Sequence, residues 1–186
     1  MQYSKPMFGD RVVSWGSIWD ELHLDPDDYD YGMPPPDGDY EAAEMHRLRG
    51  LVMAQAAETE AVLGMILKHV DPAAKLARPA GALLHDVRNG LGSQVGHVAT
   101  LDLIKRAIER RNRVVHDTVH IEYSWRDYAT GGGEWVSVIS FLGDEEYSEA
   151  NLLGDLALQQ ETLVAAVHLL TSLRGQPGQR VQAAEN

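Results

Sequence analysis

Apolar residues recur three and four positions apart over most of this chain, and two positions apart in one short stretch. Met45, Leu48, Val52, Ala56, Thr59, Val62 and Ile66 keep the helical spacing and predict a long helix over 40–70. Asp39 precedes it as a cap, Glu41 and Glu44 suit its positive N-terminal end, and Pro72 stops it. Leu51, Met53, Leu63, Met65 and Leu67 widen the apolar stripe. A helix of this kind is expected to bury two sides, in a bundle centre or against a second subunit.

Residues 79–92 fit a short second helix closed by Asn89-Gly90. A third is expected from about Val98 to His116, with Ile104, Ile108, Arg111 and Val115 inward. The period then changes to two: Val119, Ile121, Tyr123 and Trp125 alternate with polar residues, and residues 135–141 return after a glycine loop at 131–133. This reads as a β-hairpin. A last helix is expected from about Ser148 to Arg174, with Leu156, Leu163, Val167 and Leu170 inward. The fold class is therefore mainly α: a four- to five-helix up-and-down bundle over 40–175, with the hairpin at 119–141 inserted before the last helix.

Residues 1–39 read as an acidic, proline-containing arm, and 176–186 as a polar tail. Within the arm, Trp15, Ile18, Trp19 and Leu22 have the spacing of a short amphipathic helix that docks on another surface. No run of eighteen apolar residues is present, so no membrane span is expected. The first residues lack the pattern of a secretory signal. With no cysteine there is neither a thiolate metal site nor a cysteine nucleophile, which suits a cytoplasmic location.

The net charge of −12 argues at first against a nucleic-acid partner. Its distribution changes that picture. Residues 1–40 hold nine acids and two bases, and 119–186 hold ten acids and three bases, whereas 41–118 hold nine acids and eleven bases. The middle is mildly basic, and Lys105, Arg106, Arg110, Arg111 and Arg113 concentrate there on one helix.

That helix carries the most informative string, Arg110-Arg111-Asn112-Arg113-Val114-Val115-His116. At about 100° per residue, Arg111 falls on the same side as Ile104, Ile108 and Val115, where a charge is costly unless paired. Glu58, Glu60 and Asp86 are the candidate partners for such a pair. Asn112 and His116 are four apart and hence neighbours. Arg111 and His116 stand roughly 140° apart around the axis and about 7.5 Å along it. One helix does not readily bring both to a single phosphate, but two copies about a two-fold axis can.

Arg-Asn-x-x-x-His late in an internal helix, here Arg111 to His116, resembles the signature of the HEPN superfamily. The order of a long first helix, a short second, a motif-bearing third and a long last helix is also similar. The resemblance implies metal-independent RNA cleavage by a homodimer, without cofactor, in a toxin–antitoxin or anti-phage setting with an antitoxin or other regulatory partner. On that reading His116 transfers protons, Arg111 holds the scissile phosphate and Asn112 orients. Lys105, Arg106, Arg110 and Arg113 would bind flanking phosphates. RNA supplies its own nucleophile, the 2′-hydroxyl, so no protein nucleophile is needed.

Two other readings stay open. The first is a non-catalytic dimeric module that binds RNA, a nucleotide or a partner protein. The second is a metal hydrolase built on His116-Asp117-x-x-His120, which requires one helix through position 120. The strand period from Val119 speaks against that second reading.

Overall fold

The computed structural model describes residues 40–92, 95–116, 119–141 and 147–175. Four helices and one hairpin follow in the order α1 (Tyr40–Val70), α2 (Ala80–Leu91), α3 (Val95–His116), β1 (Val119–Asp127), β2 (Gly133–Phe141) and α4 (Glu149–Arg174). The fold is thus mainly helical, a helical bundle with a two-stranded antiparallel hairpin before the last helix. The arm 1–39, with its Trp15–Leu22 segment, and the tail 176–186 lie outside the described residues.

The chain divides into two compact units. The larger combines 51–115 with the segment from Gly154 onward. Its core is built by Leu63, Ile66 and Leu67 of α1, Leu83, Leu84 and Val87 of α2, Ile104 of α3, and Ala166, Leu169 and Leu170 of α4. By length and composition, Ala43–Val70 is apolar enough to cross a membrane. Within this unit, however, one side of that helix is committed to the protein core, where Leu63 and Ile66 are fully buried.

Two boundaries differ from the sequence expectation, each for a physical reason. α2 does not close at Asn89-Gly90: it runs through Leu91 and is capped by Gly92, whose positive φ of 66° with ψ −160° is open in practice to glycine alone. Gly90 serves another purpose, because a Cβ there would meet Val70 Cγ2 at 2.8 Å. α3 begins at Val95, three residues before the expected start.

The inward face of α4 matches the apolar set expected only in part: Leu170 is in the core and Leu163 packs against it. Val167 is exposed at 44%, while Leu152, Asp155, Gln159, Thr162 and Ala166 are buried. Leu156 and Leu163 are only half-buried. Apolar residues spread round a helix give its periodicity little power to select a face; the side that is buried carries both the core residues Ala166, Leu169 and Leu170 and the polar contacts of Asp155 and Gln159.

The smaller unit joins 116–153 to the residues up to Gly50. In the hairpin, Val119 pairs with Phe141, Ile121 with Ile139 and Trp125 with Trp135. Gly131 and Gly132, at φ 88° and 80°, turn the chain between Tyr128 and Gly132, whose main chains are hydrogen-bonded. The Tyr128 hydroxyl is held by the Glu134 carboxylate, which raises its pKa above the ordinary tyrosine value. At the start of α4, Asn151 Oδ1 accepts hydrogen bonds from Ser148 N (3.0 Å) and Ser148 Oγ (2.6 Å). Met45, Val136, Arg126, Ser148 and Leu153 are among the residues around a cavity of about 270 Å³ in this unit.

Candidate functional site

The motif turn of α3 is gripped from two sides by polar side chains of the larger unit. Arg111, 19% exposed, donates through Nη2 to Oε1 of Glu60 on α1. Of the three acids the sequence offered, Glu60 is the partner, and Asp86 pairs instead with Arg78. On the α4 side, Gln159 Nε2 donates to the Ala107 carbonyl at 2.7 Å. Arg110 Nε lies 3.0 Å from Oδ1 of Asp155, a carboxylate only 2% exposed. These contacts fix both the axial position and the rotation of α3 around Ala107–Arg111, because each joins a directional group to a rigid partner helix.

Thr59, Glu60, Gln159 and Arg111 are among the residues around a small cavity of about 10 Å³. That is about the volume of one water-sized sphere. The Thr59 hydroxyl, 3% exposed, has no hydrogen-bond partner among the described residues.

The remaining motif residues face outward. Asn112 and His116 are exposed, and His116 is the last residue of α3. Because β1 starts at Val119, His120 lies on a strand, and the single helix required by the His116/His120 metal reading is not formed. Among the described residues, no group of three His, Asp or Glu side chains is gathered for a metal. The boundary between the two units falls between Val115 and His116. Arg111 and Asn112 are therefore held by the larger unit, and His116 is counted with the smaller.

The four expected phosphate-binding residues do not form one uniform basic face. Lys105 and Glu109 pair one turn apart at 3.5 Å, with both side chains more than half exposed. Arg110 is engaged by Asp155, Arg113 is half-buried, and Arg106 is exposed on the outer side of the helix. Asp102, on that same helix, takes the guanidinium of Arg88 from α2 at 2.6 Å.

No protein-family model, curated protein or solved structure matches the chain.

The site contains three residues that the motif alone did not single out: Thr59, Asp155 and Gln159. A signal for the last two was present. Asp155, Gln159 and Thr162 stand at i, i+4 and i+7, a polar line along one side of a helix whose apolar residues are spread round it. Such a line, on a helix with apolar residues on every side, marks a buried polar contact as readily as a solvent face.

Proposed function

We propose that this chain is a metal-independent endoribonuclease of the HEPN kind that acts as a two-fold dimer. Arg111, Asn112 and His116 carry the chemistry. The observation that carries the reading is the arrangement of the motif on α3: Asn112 is exposed next in sequence to an Arg111 whose guanidinium is anchored by Glu60, and His116, also exposed, ends the same helix. An anchored guanidinium keeps a planar fork of donors, and one carboxylate does not use all five of its N–H groups. His116 acts as general acid or base, since a ring nitrogen of an imidazole can either give up or take on a proton. Arg111 stabilises the phosphate charge that develops when the 2′-hydroxyl attacks. The angle between Arg111 and His116 on α3 calls for a second copy to complete each centre. A toxin–antitoxin or anti-phage setting, with RNA as target and a regulatory protein as partner, follows from the resemblance.

The test is cleavage of RNA in EDTA. Products ending in 2′,3′-cyclic phosphate, no cleavage of DNA, and a loss of about 10²–10⁴ in rate for His116→Ala support the reading. Equal cleavage by wild type and His116→Ala removes it. Light scattering that shows only monomer at high micromolar concentration removes the composite centre.

One observation favours a second reading, a non-catalytic dimeric module for RNA, a nucleotide or a partner protein. Arg111 and Arg110 are both engaged by acids of the same unit, so part of their charge serves the fold. Binding of RNA without cleavage, unchanged by His116→Ala, is the result that selects it.

A further inference from the structure

α1 keeps an apolar face on the side turned away from the core of the larger unit. Met53, Ala54, Ala57, Ala61 and Met65 are exposed, the two methionines at 45% and 48%. At about 100° per residue these positions fall within roughly 120° of one another, and Gly64 lies in the same arc. Leu76, in the connection after α1 and 42% exposed, covers Gly64, with its methyls 3.6 and 3.7 Å from where a Cβ of that residue would stand. The face is symmetric about Thr59, which is itself buried. Ala57 and Ala61 stand two positions either side of it, Ala54 and Gly64 five, and Met53 and Met65 six. Each of these pairs is centred on the same direction, opposite to Thr59.

We propose that α1 packs through this face against α1 of a second copy, antiparallel about a two-fold axis at the level of Thr59. The symmetry of the face selects the occupant. A two-fold there sets Ala57 opposite Ala61 of the second copy and Met53 level with Met65 of the second copy. Leu76, standing over Gly64, comes opposite Ala54 of the second copy, so bulk on one side meets a small residue on the other, twice by symmetry. The alanines let the helix axes approach to about 8 Å, and the methionines adapt their shape at both ends. Glu60 stands about 80° round from the middle of the face. In an antiparallel pair equal positions come out on one flank, so the two Glu60–Arg111 pairs lie side by side across the axis. The inference rests on the proposed composite centre and names the surface that builds it. Glu58 meets its counterpart on the other flank, at an exposed rim where water screens the repulsion. One helix pair is a small interface, so association is expected at micromolar concentrations and above.

The chain has no cysteine, so introduced thiols report alone. Ala57→Cys and Ala61→Cys, both at exposed positions, are mixed with one of them mass-tagged and oxidised mildly at high micromolar concentration. The mixed disulfide between positions 57 and 61 should form at least about tenfold faster than either variant links to itself. Like positions are offset by about 6 Å along the pair, whereas a disulfide joins Cβ atoms about 4 Å apart. Self-linking of Ala57→Cys as fast as the mixed reaction overturns the proposal. In the Ala57→Glu/Ala61→Glu variant, light scattering should show monomer while the helical circular dichroism stays unchanged. A dimer that survives this variant uses another face and overturns the proposal, while the composite centre stands. A monomeric variant that cleaves RNA as fast as wild type upholds the interface and removes the composite centre. A wild type that stays monomeric overturns both.

Discussion

Arg111 of α3 and Glu60 of α1 form an ion pair between positions 51 apart in sequence, with side-chain exposures of 19% and 32%. The pair explains how an arginine occupies the same side of α3 as fully buried Ile104. An unpaired guanidinium there would forfeit its hydration, while a carboxylate from the neighbouring helix replaces part of it. The same pair turns Arg111 inward, while Asn112 and His116 face solvent.

Breaking the pair should therefore be costly, and the costs should not add. Glu60→Ala and Arg111→Ala are each expected to lower stability by about 1–3 kcal/mol, since each leaves a partly buried charge without its partner. The double variant should lose less than the two combined, with a coupling of about 1 kcal/mol in urea denaturation. Additive losses would show that the two side chains do not interact in solution.

Thr59→Val should stabilise the protein. The hydroxyl is 3% exposed and without a hydrogen-bond partner among the described residues, whereas valine has nearly the same shape and no polar group to desolvate. A gain of up to about 1 kcal/mol is expected from removing that desolvation. A loss instead would mean that the hydroxyl is hydrogen-bonded within the cavity shared with Arg111 and Gln159.

Gly90 tests the close approach of α2 to the end of α1. Alanine at this position would raise helix propensity by about 0.5–1 kcal/mol, but its Cβ would meet Val70 Cγ2 at 2.8 Å and Val70 Cβ at 3.2 Å. Both atoms belong to a β-branched side chain with little freedom to move aside. Gly90→Ala should therefore lower the melting temperature, and adding Val70→Ala should recover at least part of the loss. Equal melting of Gly90→Ala and wild type would place the two helices farther apart.

The hairpin should weaken at alkaline pH through Tyr128. Its hydroxyl is held by Glu134, and the nearby carboxylate charge opposes ionisation, so the pKa is raised in the folded protein. A raised folded pKa gives stability that is complete below the unfolded tyrosine value and is lost as pH rises through the folded one. Trp125 fluorescence should report loosening in that alkaline window for wild type, and a flatter response for Tyr128→Phe. Identical profiles would assign the change to another group.

The order of elements was legible in the sequence because each periodic run has its own stop. Pro72 follows α1, and the change from a period of 3.6 to one of 2 separates α3 from β1. The motif residues were legible for the same reason: a string of arginines interrupting an apolar stripe is a local feature. That Arg111 needs an acid also followed from its place on that stripe, although the sequence left three candidates. Only the tertiary structure chose Glu60, because the choice depends on which turn of α1 lies beside which turn of α3, and that register is set by the packing of the core the two helices share. The face of α4 was decided in the same way. Its apolar residues are spread round the helix, so their spacing does not select a side; in the structure the buried side is the one where Asp155 receives Arg110, Gln159 donates to the Ala107 carbonyl and Leu169 and Leu170 join the core, and Val167 is exposed.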